Sequence, residues 1–383
     1  MALREPATAV IRMGEGATAE AISFIGSRRA CAVCDTNTHK FAEVYFPALP
    51  RFVFPDGWKA TDVNAAHLID QIKSDGIELL VAVGTGTIHD LTRYSAFHAG
   101  VDFISYPTAP SMDGFVSSIA AMTIKGQKIT YPAKPPVALF AEPAVYQTSP
   151  MRLTLAGMGD ILGKYISVFD WKVAEAVAGE KVDEDLVKLE TDAIDKMLSI
   201  DPASPDFHTA VLEGLVMTGM TIQYFGSSRP ASGAEHHLSH IWEMHVINED
   251  VEALHGEKVG VSTLIILRLY KSLLDKHIIF RPKDNNVEYL RTAYGDMAEG
   301  IAAENTPDPM ANITQEKLDA AAPRIRQLIR ELPDPDKLEA FMKSIGAKTE
   351  IAQLGLPADP EFLAKTLEFA PYVRRRITLL KLL

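Results

Sequence analysis

The fold of this chain is most clearly indicated by the segment Leu79-Leu-Val-Ala-Val-Gly84-Thr-Gly86-Thr-Ile-His-Asp90. An apolar run of strand length leads into a Gly-x-Gly turn, and a segment of helical period follows through about Ala99. Glycine lets the backbone approach a ligand closely, and the first N–H groups of a helix have no intrahelical partner. The segment therefore predicts a strand, a backbone cradle for phosphate and a helix, although an ordinary strand-to-helix turn explains it nearly as well.

The residues on either side continue this pattern. Residues 29–35 and 52–54 have strand character, and residues 63–74 have helical period. Downstream, residues 103–106 form a further predicted strand that leads into a loop rich in Pro, Thr, Ser, Asp and Gly. Short apolar runs that alternate with amphipathic segments are typical of β/α units on a parallel sheet. We therefore expect a Rossmann-like α/β domain over residues 1–150.

The second half of the chain has a different sequence pattern. Past Pro143 and Pro150, long segments of helical period are separated by prolines and glycines. The predicted helices cover residues 155–177, 183–198, 209–224, 235–248, 259–274, 287–303, 315–332, 336–345 and 360 to the end. We therefore expect an all-α C-terminal domain over residues 151–383.

Composition limits the possible functions. The 383 residues suit about two domains, and 47% hydrophobic with 23% charged residues is typical of a soluble globular protein. The net charge of −12 and the scattered Lys and Arg residues disfavour a nucleic-acid surface. The first ten residues show no secretory signal, and Arg268 and Lys271 interrupt the most apolar helix before it reaches membrane-spanning length. We expect a cytoplasmic protein with no membrane insertion.

The chain has two cysteines, Cys31 and Cys34, in a CxxC spacing. This spacing can mark a redox or metal half-site, but no second pair accompanies it. Because the flanking residues are those of a buried strand, we interpret both cysteines as small core residues.

A histidine-rich helix candidate lies in the second half: Ser232-Gly-Ala-Glu-His236-His237-Leu-Ser-His240-Ile-Trp-Glu-Met-His245. His236 and His240 are four residues apart and therefore share a helix face. Histidine is the commonest metal ligand, and a catalytic site takes about three protein ligands. His255 and one carboxylate would complete such a site. A surface helix that happens to carry histidines is an equally good explanation. We interpret His237 and His245 as surface groups or as supporting groups behind the ligands.

Three aspartates lie where a ligand could meet them, and each has an ordinary structural alternative. Asp35 ends a predicted strand, where a carboxylate would accept from a ribose diol or close a turn. Asp113 lies in the loop after the strand at residues 103–106, among residues that also favour turns. Asp160 is predicted to open a helix, where it would cap the N-terminus or supply the oxygen ligand beside His236 and His255.

Five segments together resemble one known family. They are VGTGTIHDLTRYSA, PTAPSMDGFVSSIA, LAGMGDILGKY, GAEHHLSHIWEM and LHGEKVGV, spread over about residues 30 to 265 in the family's order. The chain is similar to the sn-glycerol-1-phosphate dehydrogenases of the iron-containing alcohol dehydrogenase and dehydroquinate synthase superfamily, and more to the bacterial branch than to the archaeal one. The resemblance implies a dehydroquinate synthase-like fold, with an α/β domain that has a parallel sheet and an all-α domain.

The resemblance also implies roles for individual residues. One divalent metal, zinc or nickel first and iron or manganese next, would be held by Asp160, His236 and His255. His240 and Asp113 would be catalytic and would bind the substrate, together with Asp160. NAD(H) or NADP(H) would be held by the remaining set: Asp35, Gly86, Thr87, Ile88, His89, Asp90, Thr108, Ala109, Pro110, Ser111 and Ser117.

The activity implied is metal-dependent, NAD(P)H-linked interconversion of dihydroxyacetone phosphate and sn-glycerol 1-phosphate, in glycerophospholipid metabolism. A glycerol or polyol dehydrogenase, or a dehydroquinate synthase-like cyclase, would use the same metal and cofactor. A nucleotide-binding protein without catalysis is a further alternative. The substrate would be a small phosphorylated ketone or alcohol, and Lys164, Arg229 and Lys258 are candidates for its phosphate. A homo-oligomer, dimeric or higher, is expected.

Overall fold

The computed structural model describes residues 7–124 and 127–383. Its strands are β1 (Val10–Met13), β2 (Ala30–Asp35), β3 (Arg51–Phe54), β4 (Leu79–Gly84), β5 (Asp102–Pro107), β6 (Ile119–Ile124), β7 (Gln127–Pro132) and β8 (Ala138–Ala141). Helices of the first part are α1 (Ala17–Ile25), α2 (His39–Tyr45), α3 (Asp62–Asp75), α4 (Gly86–Ala99) and α5 (Pro143–Tyr146).

The later helices are α6 (Met151–Leu162), α7 (Lys164–Ala178), α8 (Glu184–Leu198), α9 (Asp206–Phe225), α10 (Ala234–Glu243), α11 (His255–Lys271), α12 (Val287–Tyr294), α13 (Ala298–Glu304), α14 (Gln315–Glu331), α15 (Pro335–Ser344), α16 (Pro360–Phe369) and α17 (Leu379–Leu382). None of the helices within residues 7–124 and 127–383 is both long and apolar enough to cross a membrane.

The main sheet has the strand order β1-β8-β5-β4-β2-β3, and every neighbouring pair is parallel. The predicted parallel α/β fold is therefore confirmed, and the four strands expected from the sequence are β2, β3, β4 and β5. All six residues of β4 are buried, as expected for a parallel strand with helices on both faces. The antiparallel pair β6–β7 lies outside this sheet and was not predicted.

The two cysteines illustrate how β2 divides the core. Successive side chains of a strand point to opposite faces, so residues three apart lie on different sides. Cys34 packs in the cluster that includes residues of α1 and α2, whereas Cys31 packs in the cluster that includes residues of α3 and α4. Both are buried free thiols, and burial raises the pKa of Cys31 to about 11 and that of Cys34 to about 12.

The chain forms two compact units: Met1–Gly157 with Asp192–Ser228, and Met158–Thr191 with Arg229–Leu383. The chain first passes from one unit to the other after Gly157, close to the predicted boundary near residue 150. However, α9 belongs to the unit that contains the sheet. A Cβ at Gly219 of α9 would lie 2.6 Å from the carbonyl oxygen of Asp113. The α9 backbone therefore packs directly against the turn Asp113–Val116. This contact explains why α9 belongs to the first unit.

Several predicted helices are shorter than expected. The segment 155–177 is interrupted at Gly163, between α6 and α7, and α10 ends at Glu243. The segment 287–303 is divided by a 3-10 turn at Gly295–Met297. The prediction that Asp160 opens a helix is wrong, because α6 begins at Met151 and Asp160 lies in its last turn.

Candidate active site

The predicted cofactor residues of the first unit lie at the carboxyl ends of adjacent strands. Asp35 ends β2, Gly84 ends β4 and Thr108 follows β5. The N–H of Thr108 donates to the carbonyl of Gly84 over 3.0 Å. Strands β2 and β4 are neighbours in the sheet. The next strand after β2 is β3, on one side of this pair, and the next strand after β4 is β5, on the other side. Ligands of open α/β sheets bind outside strand ends where connections diverge in this way.

The glycine turn places backbone groups at this edge. A Cβ at Gly84 would lie 2.7 Å from the Ile88 side chain, so this turn requires glycine. The N-cap residue Thr85 makes no side-chain cap, which leaves the first N–H groups of α4 for another acceptor. A Cβ at Gly86 would be 3.5 Å from Met112, so the turn lies beside the loop after β5.

Two of the predicted turn residues use their side chains inside the fold. Ile88 and His89 are buried. His89 Nδ1 lies 2.9 Å from the carbonyl of Thr85 and Nε2 lies 2.8 Å from Ser105 Oγ. Burial lowers the pKa of His89 to about 3, so the imidazole is neutral. Any contact of these residues with a cofactor would therefore involve their backbone.

The loop after β5 is held by a residue that the sequence analysis missed. Arg93 is fully buried, and its Nη1 donates to Asp90 Oδ1 over 2.8 Å and to the Ile119 carbonyl over 2.9 Å. Its Nη2 donates to the Gly114 carbonyl. Asp113, which is partly exposed, begins the turn whose Gly114 carbonyl accepts from Arg93.

The rest of this loop and Asp35 also have structural contacts. Thr108, Ala109, Pro110 and Ser117 are buried, Ser111 is partly exposed, and Ser117 Oγ accepts from the N–H of Ile119 over 3.1 Å. In a separate turn, Asp35 Oδ1 accepts from the N–H groups of Asn37 and Thr38 and from the Thr38 hydroxyl. The carboxylate of Asp35 thus shapes the turn after β2, and its contact with a ribose stays a prediction.

The predicted metal ligands converge in the second unit. Asp160 lies on α6, His236 on α10, and His255 begins α11. Each of the three offers a ligand atom, and these atoms lie within 4.8 Å of one another. The His236 and His255 ring centroids are 5.4 Å apart, and the His240 ring lies 5.8 Å from that of His236. The side chain of Asp160 is fully buried, whereas that of His255 is 32% exposed, so the group is accessible from the His255 side.

Glycines allow this convergence. A Cβ at Gly159 would lie 2.3 Å from the carbonyl oxygen of Gly256, and Gly260 Cα is also within 3.3 Å. Helices α6 and α11 can approach this closely only because no side chain stands between them. Asp160 and His255, each next to one of these glycines, are brought together as a result.

Each of the two imidazoles predicted as ligands has a carboxylate at its Nδ1. Glu235 Oε1 lies 2.6 Å from His236 Nδ1, and Glu243 Oε1 lies 2.7 Å from His255 Nδ1. A carboxylate in this position holds the proton on Nδ1 and leaves the Nε2 lone pair for a metal. One carboxylate with two such imidazoles fits a divalent cation. Glu243, which with His240 and His255 also forms a group that could hold a metal ion, contacts the His255 ring at Nδ1.

The charges within this group are tightly balanced. Burial alone would raise the pKa of Asp160, but the ammonium of Lys164, with His236 and His255, holds it below its ordinary value. Burial would lower the pKa of His236, but hydrogen bonds with Asp160 and Glu235 raise it to about 9. A cation that binds here must displace the His236 proton, so its affinity should increase with pH up to about that value.

Of the cations suggested for a substrate phosphate, two lie beside this group. Lys164 is buried, and its Nζ lies 3.1 Å from Asp160 Oδ1 and donates to the Ala231 carbonyl. Lys258 is buried with Nζ 4.0 Å from Glu243. Arg229 instead pairs through two of its nitrogens with Glu180.

The other histidines of this segment differ from one another. Arg374 Nη2 lies 3.5 Å from His240 Nδ1, and burial together with Arg374 holds the pKa of His240 well below its ordinary value. His237 is fully buried, so its interpretation as a surface group is wrong. Burial, together with the nearby Arg376, Lys381 and Arg374, holds the pKa of His237 well below its ordinary value. His245 is exposed, and its Nε2 lies 3.3 Å from Asp250.

A further carboxylate anchors α10 from behind. Asp170 of α7 is fully buried and accepts from the N–H of Ala234, the N–H of Leu379 and the Tyr270 hydroxyl over 2.8 to 3.0 Å. Burial raises the pKa of Asp170 to about 7. This residue fixes the N-terminus of the helix that carries His236, and no sequence motif marked it.

Comparison with known proteins identifies the fold and the family of this chain. The family model described as iron-containing alcohol dehydrogenase matches residues 52–150. A solved structure of a probable glycerol dehydrogenase from Sinorhizobium meliloti 1021 covers 99% of this chain and 93% of its own, with a TM-score of 0.68 and 17% identity, which shows the shared fold.

Closer relatives carry a more specific name. Glycerol-1-phosphate dehydrogenase [NAD(P)+] of Geobacillus stearothermophilus is 36% identical over 315 residues, covering 80% of this chain and 71% of the relative. The Thermococcus kodakarensis protein of the same name is 37% identical but covers 55% of this chain and 60% of its own length. The bacterial match thus extends over more of the chain. The chain belongs to the glycerol-1-phosphate dehydrogenase family, within the iron-containing alcohol dehydrogenases.

Proposed function

We propose that this protein is a metal-dependent oxidoreductase that interconverts dihydroxyacetone phosphate and sn-glycerol 1-phosphate with NAD(H) or NADP(H). The observation that carries the proposal is the convergence of Asp160, His236 and His255, with a carboxylate behind each imidazole. The names of its relatives supply the substrate and the cofactor. A protein that had lost catalysis would be free to lose these ligands.

Asp160, His236 and His255 would hold the divalent metal, which supplies Lewis-acid stabilisation of the charge that develops on the substrate oxygen, worth several kcal/mol. The ligand types suit zinc, nickel, iron and manganese, and do not choose among them. The backbone of the Gly84–Gly86 turn and the loop from Thr108 would hold the cofactor, which supplies the hydride. Asp35 would contact its ribose.

Side chains around the predicted metal group set the orientation and the protonation of its imidazoles. Glu235 and Glu243 fix the tautomer and ring orientation of His236 and His255. His240 is neutral at neutral pH, and with Arg374 on its Nδ1 the ring proton lies on Nε2. We infer that His240 donates a hydrogen bond through Nε2–H to the substrate, and that the proton that completes the alcohol comes from solvent.

The test is an NADH-oxidation assay on metal-stripped protein, with zinc, nickel, iron or manganese added back singly. We expect activity with dihydroxyacetone phosphate only after a metal is restored, weaker activity with dihydroxyacetone, and sn-glycerol 1-phosphate as the product. Undiminished turnover after complete metal removal would refute the proposal. Preference for unphosphorylated polyols would indicate a polyol dehydrogenase, and product formation without net NADH oxidation would indicate a cyclising synthase.

Two further expectations belong to this proposal. The first is a homo-oligomer, which sedimentation or light scattering would measure. The second is a cytoplasmic location, with which the two free buried thiols are compatible.

A further inference from the structure

The N-terminus of α10, the helix that carries His236, is capped by a carboxylate from another helix. Its N-cap residue, Gly233, has no side chain that could accept a hydrogen bond. Asp170 of α7 takes this role, since its Oδ2 accepts from the N–H of Ala234 over 2.8 Å. The first N–H groups of a helix have no intrahelical partner and favour a negative charge nearby. The cap therefore fixes the first turn of α10 relative to α7.

Glycine at position 233 allows the carboxylate to come this close. A Cβ at Gly233 would lie 2.9 Å from Asp170 Oδ2 and 2.8 Å from Glu235 Oε2. These distances are too short for a Cβ, so a larger residue would push a carboxylate away. Asp170 and Glu235 therefore approach the same position of the α10 backbone.

The capped turn also carries the group that contacts the His236 ring. Glu235 Oε1 accepts from the N–H of Gly233 over 2.9 Å and lies 2.6 Å from His236 Nδ1. Ala234, Glu235 and His236 are consecutive, so a shift of the first turn would move the carboxylate and the imidazole together. The position of His236 relative to the other predicted ligands therefore depends on how firmly this turn is held.

The other oxygen of Asp170 is held by the C-terminal end of the chain and by α11. Its Oδ1 accepts from the N–H of Leu379, the first residue of α17, over 2.8 Å and from the Tyr270 hydroxyl over 3.0 Å. The Tyr270 hydroxyl in turn accepts from the N–H of Leu380 over 3.0 Å. Asp170, Tyr270 and Leu379 are fully buried. Because water is excluded here, a broken bond would leave its donor without a partner.

Arg229 joins the same two segments through their main chains. Its Nη2 donates to the carbonyl of Asp170 and to the carbonyl of Ile377, each over 3.1 Å. The C-terminal segment is therefore bound to the Asp170 region by main-chain as well as side-chain groups. Tyr270 lies near the end of α11, the helix that begins with His255. Asp170 thus links α17 to both helices that supply the predicted imidazole ligands.

The Asp170 carboxylate has all its donors only when three helices are in place. An apolar contact would suffice to bury α17, whereas a buried carboxylate is tolerated only when it is hydrogen-bonded. Its donors come from α10, α11 and α17. We infer that Asp170 is a positioning residue for the metal centre, and that it makes tight metal binding depend on the docking of α17. The inference rests on the role proposed above for His236 as a metal ligand.

The test uses substitutions that remove one of these bonds at a time. Asp170→Asn keeps the shape of the side chain, but its amide nitrogen must face one of the two main-chain N–H groups. Tyr270→Phe removes the shared hydroxyl. Leu379→Pro removes the N–H at the first position of α17, where proline is tolerated. The matched controls are Tyr294→Phe, which removes a buried hydroxyl that donates to the Phe369 carbonyl, and Leu379→Ala, which loses the leucine side chain but keeps the N–H.

Chelator competition measures the metal dissociation constant, and urea denaturation of the metal-free protein measures the free energy of unfolding. In Asp170→Asn, Tyr270→Phe and Leu379→Pro we expect the dissociation constant to rise about 3- to 10-fold, the range expected for one hydrogen bond. Excess metal should restore most of their turnover, because the ligands themselves are intact. Tyr294→Phe and Leu379→Ala should lose stability but bind the metal as the wild type does.

Two results would overturn the inference. One is an unchanged metal dissociation constant in folded Asp170→Asn and Tyr270→Phe proteins. The other is an equal loss of affinity in each variant and its control, which is the result expected of a general loss of stability. Failure of the proposed function is distinguishable: the wild type would then not reduce dihydroxyacetone phosphate, yet its metal affinity would still depend on Asp170.

Discussion

At the carboxyl ends of β4 and β5, the predicted cofactor residues Ile88 and His89 turn their side chains into the core. The turn therefore offers backbone N–H groups to a ligand. In the helical unit, Asp160, His236 and His255 offer side-chain atoms, and further carboxylates hold these atoms in place. A site made of backbone depends on turn geometry, whereas a site made of side chains depends on each residue. The two regions should therefore respond differently to substitution.

The largest effect should come from removing one metal ligand. His236→Ala deletes an imidazole that no neighbour can replace, so we expect the metal to be lost and kcat/KM to fall at least about a thousandfold. Metal analysis and the NADH assay measure both. His277→Ala, which removes an exposed histidine of the same unit, should behave as the wild type. A His236→Ala protein with full metal content and activity would exclude His236 as a ligand.

A smaller effect is expected for a carboxylate that orients one of the predicted ligands. Glu243→Gln keeps the size of the side chain but removes the charge that holds His255 Nδ1. We expect the metal dissociation constant to rise about 10- to 100-fold, measured by competition with a chelator. Glu249→Gln changes an exposed acid near the end of α10 and should leave the constant unaltered. Equal constants in all three proteins would show that Glu243 does not support the metal centre.

Glycine substitutions compare the two regions directly. In Gly159→Ala the new Cβ would meet the Gly256 carbonyl at 2.3 Å, which forces α6 and α11 apart. We expect a loss of about 1–3 kcal/mol in the free energy of unfolding, with weaker metal binding. In Gly86→Ala the nearest atom, on Met112, is 3.5 Å away, an ordinary contact. That variant should keep its stability. Urea denaturation measures the free energy of unfolding of both variants, and a larger loss in Gly86→Ala than in Gly159→Ala would contradict the prediction.

A different kind of effect concerns pH and His89. Its pKa is about 3 in the folded protein and about 6.5 when unfolded, so the folded state binds fewer protons between these values. Its contribution to stability is therefore complete above about pH 6.5 and declines as pH falls, by up to about 1.4 kcal/mol per pH unit. His89→Asn should be less stable at neutral pH but have a shallower pH dependence in urea denaturation. An unchanged slope, with exposed His277→Asn as control, would contradict this assignment.

Much of the fold was predictable because its signals are local. β4 is continuously apolar since it is buried on both faces, and α4 follows its glycine turn within a few residues. The helix breaks were harder to predict. Gly163 has ordinary helical backbone angles, and only the close approach of Val259 and Glu235 marks this position as special.

The candidate site was predictable in its ligand types but not in its supporting groups. Histidines four apart on α10 indicated a metal-binding face, and the family resemblance pointed to Asp160 and His255. Glu235 and Glu243 carried no such signal, since acidic residues are common on helices. Whether an acid meets an imidazole depends on helix packing, which sequence spacing does not reveal.

Local sequence accounts for the alternation of strands and helices, for the glycine turn, and for the residue types able to hold a metal. These properties arise between neighbours along the chain, where backbone geometry sets the spacing. The contacts between distant groups become visible only in the folded chain. Arg374 and His240 are 134 residues apart in sequence yet in contact, and Asp170 joins α10 to the last helix. Such contacts depend on how whole helices pack, because burial is shared among many side chains and no single pair dictates it.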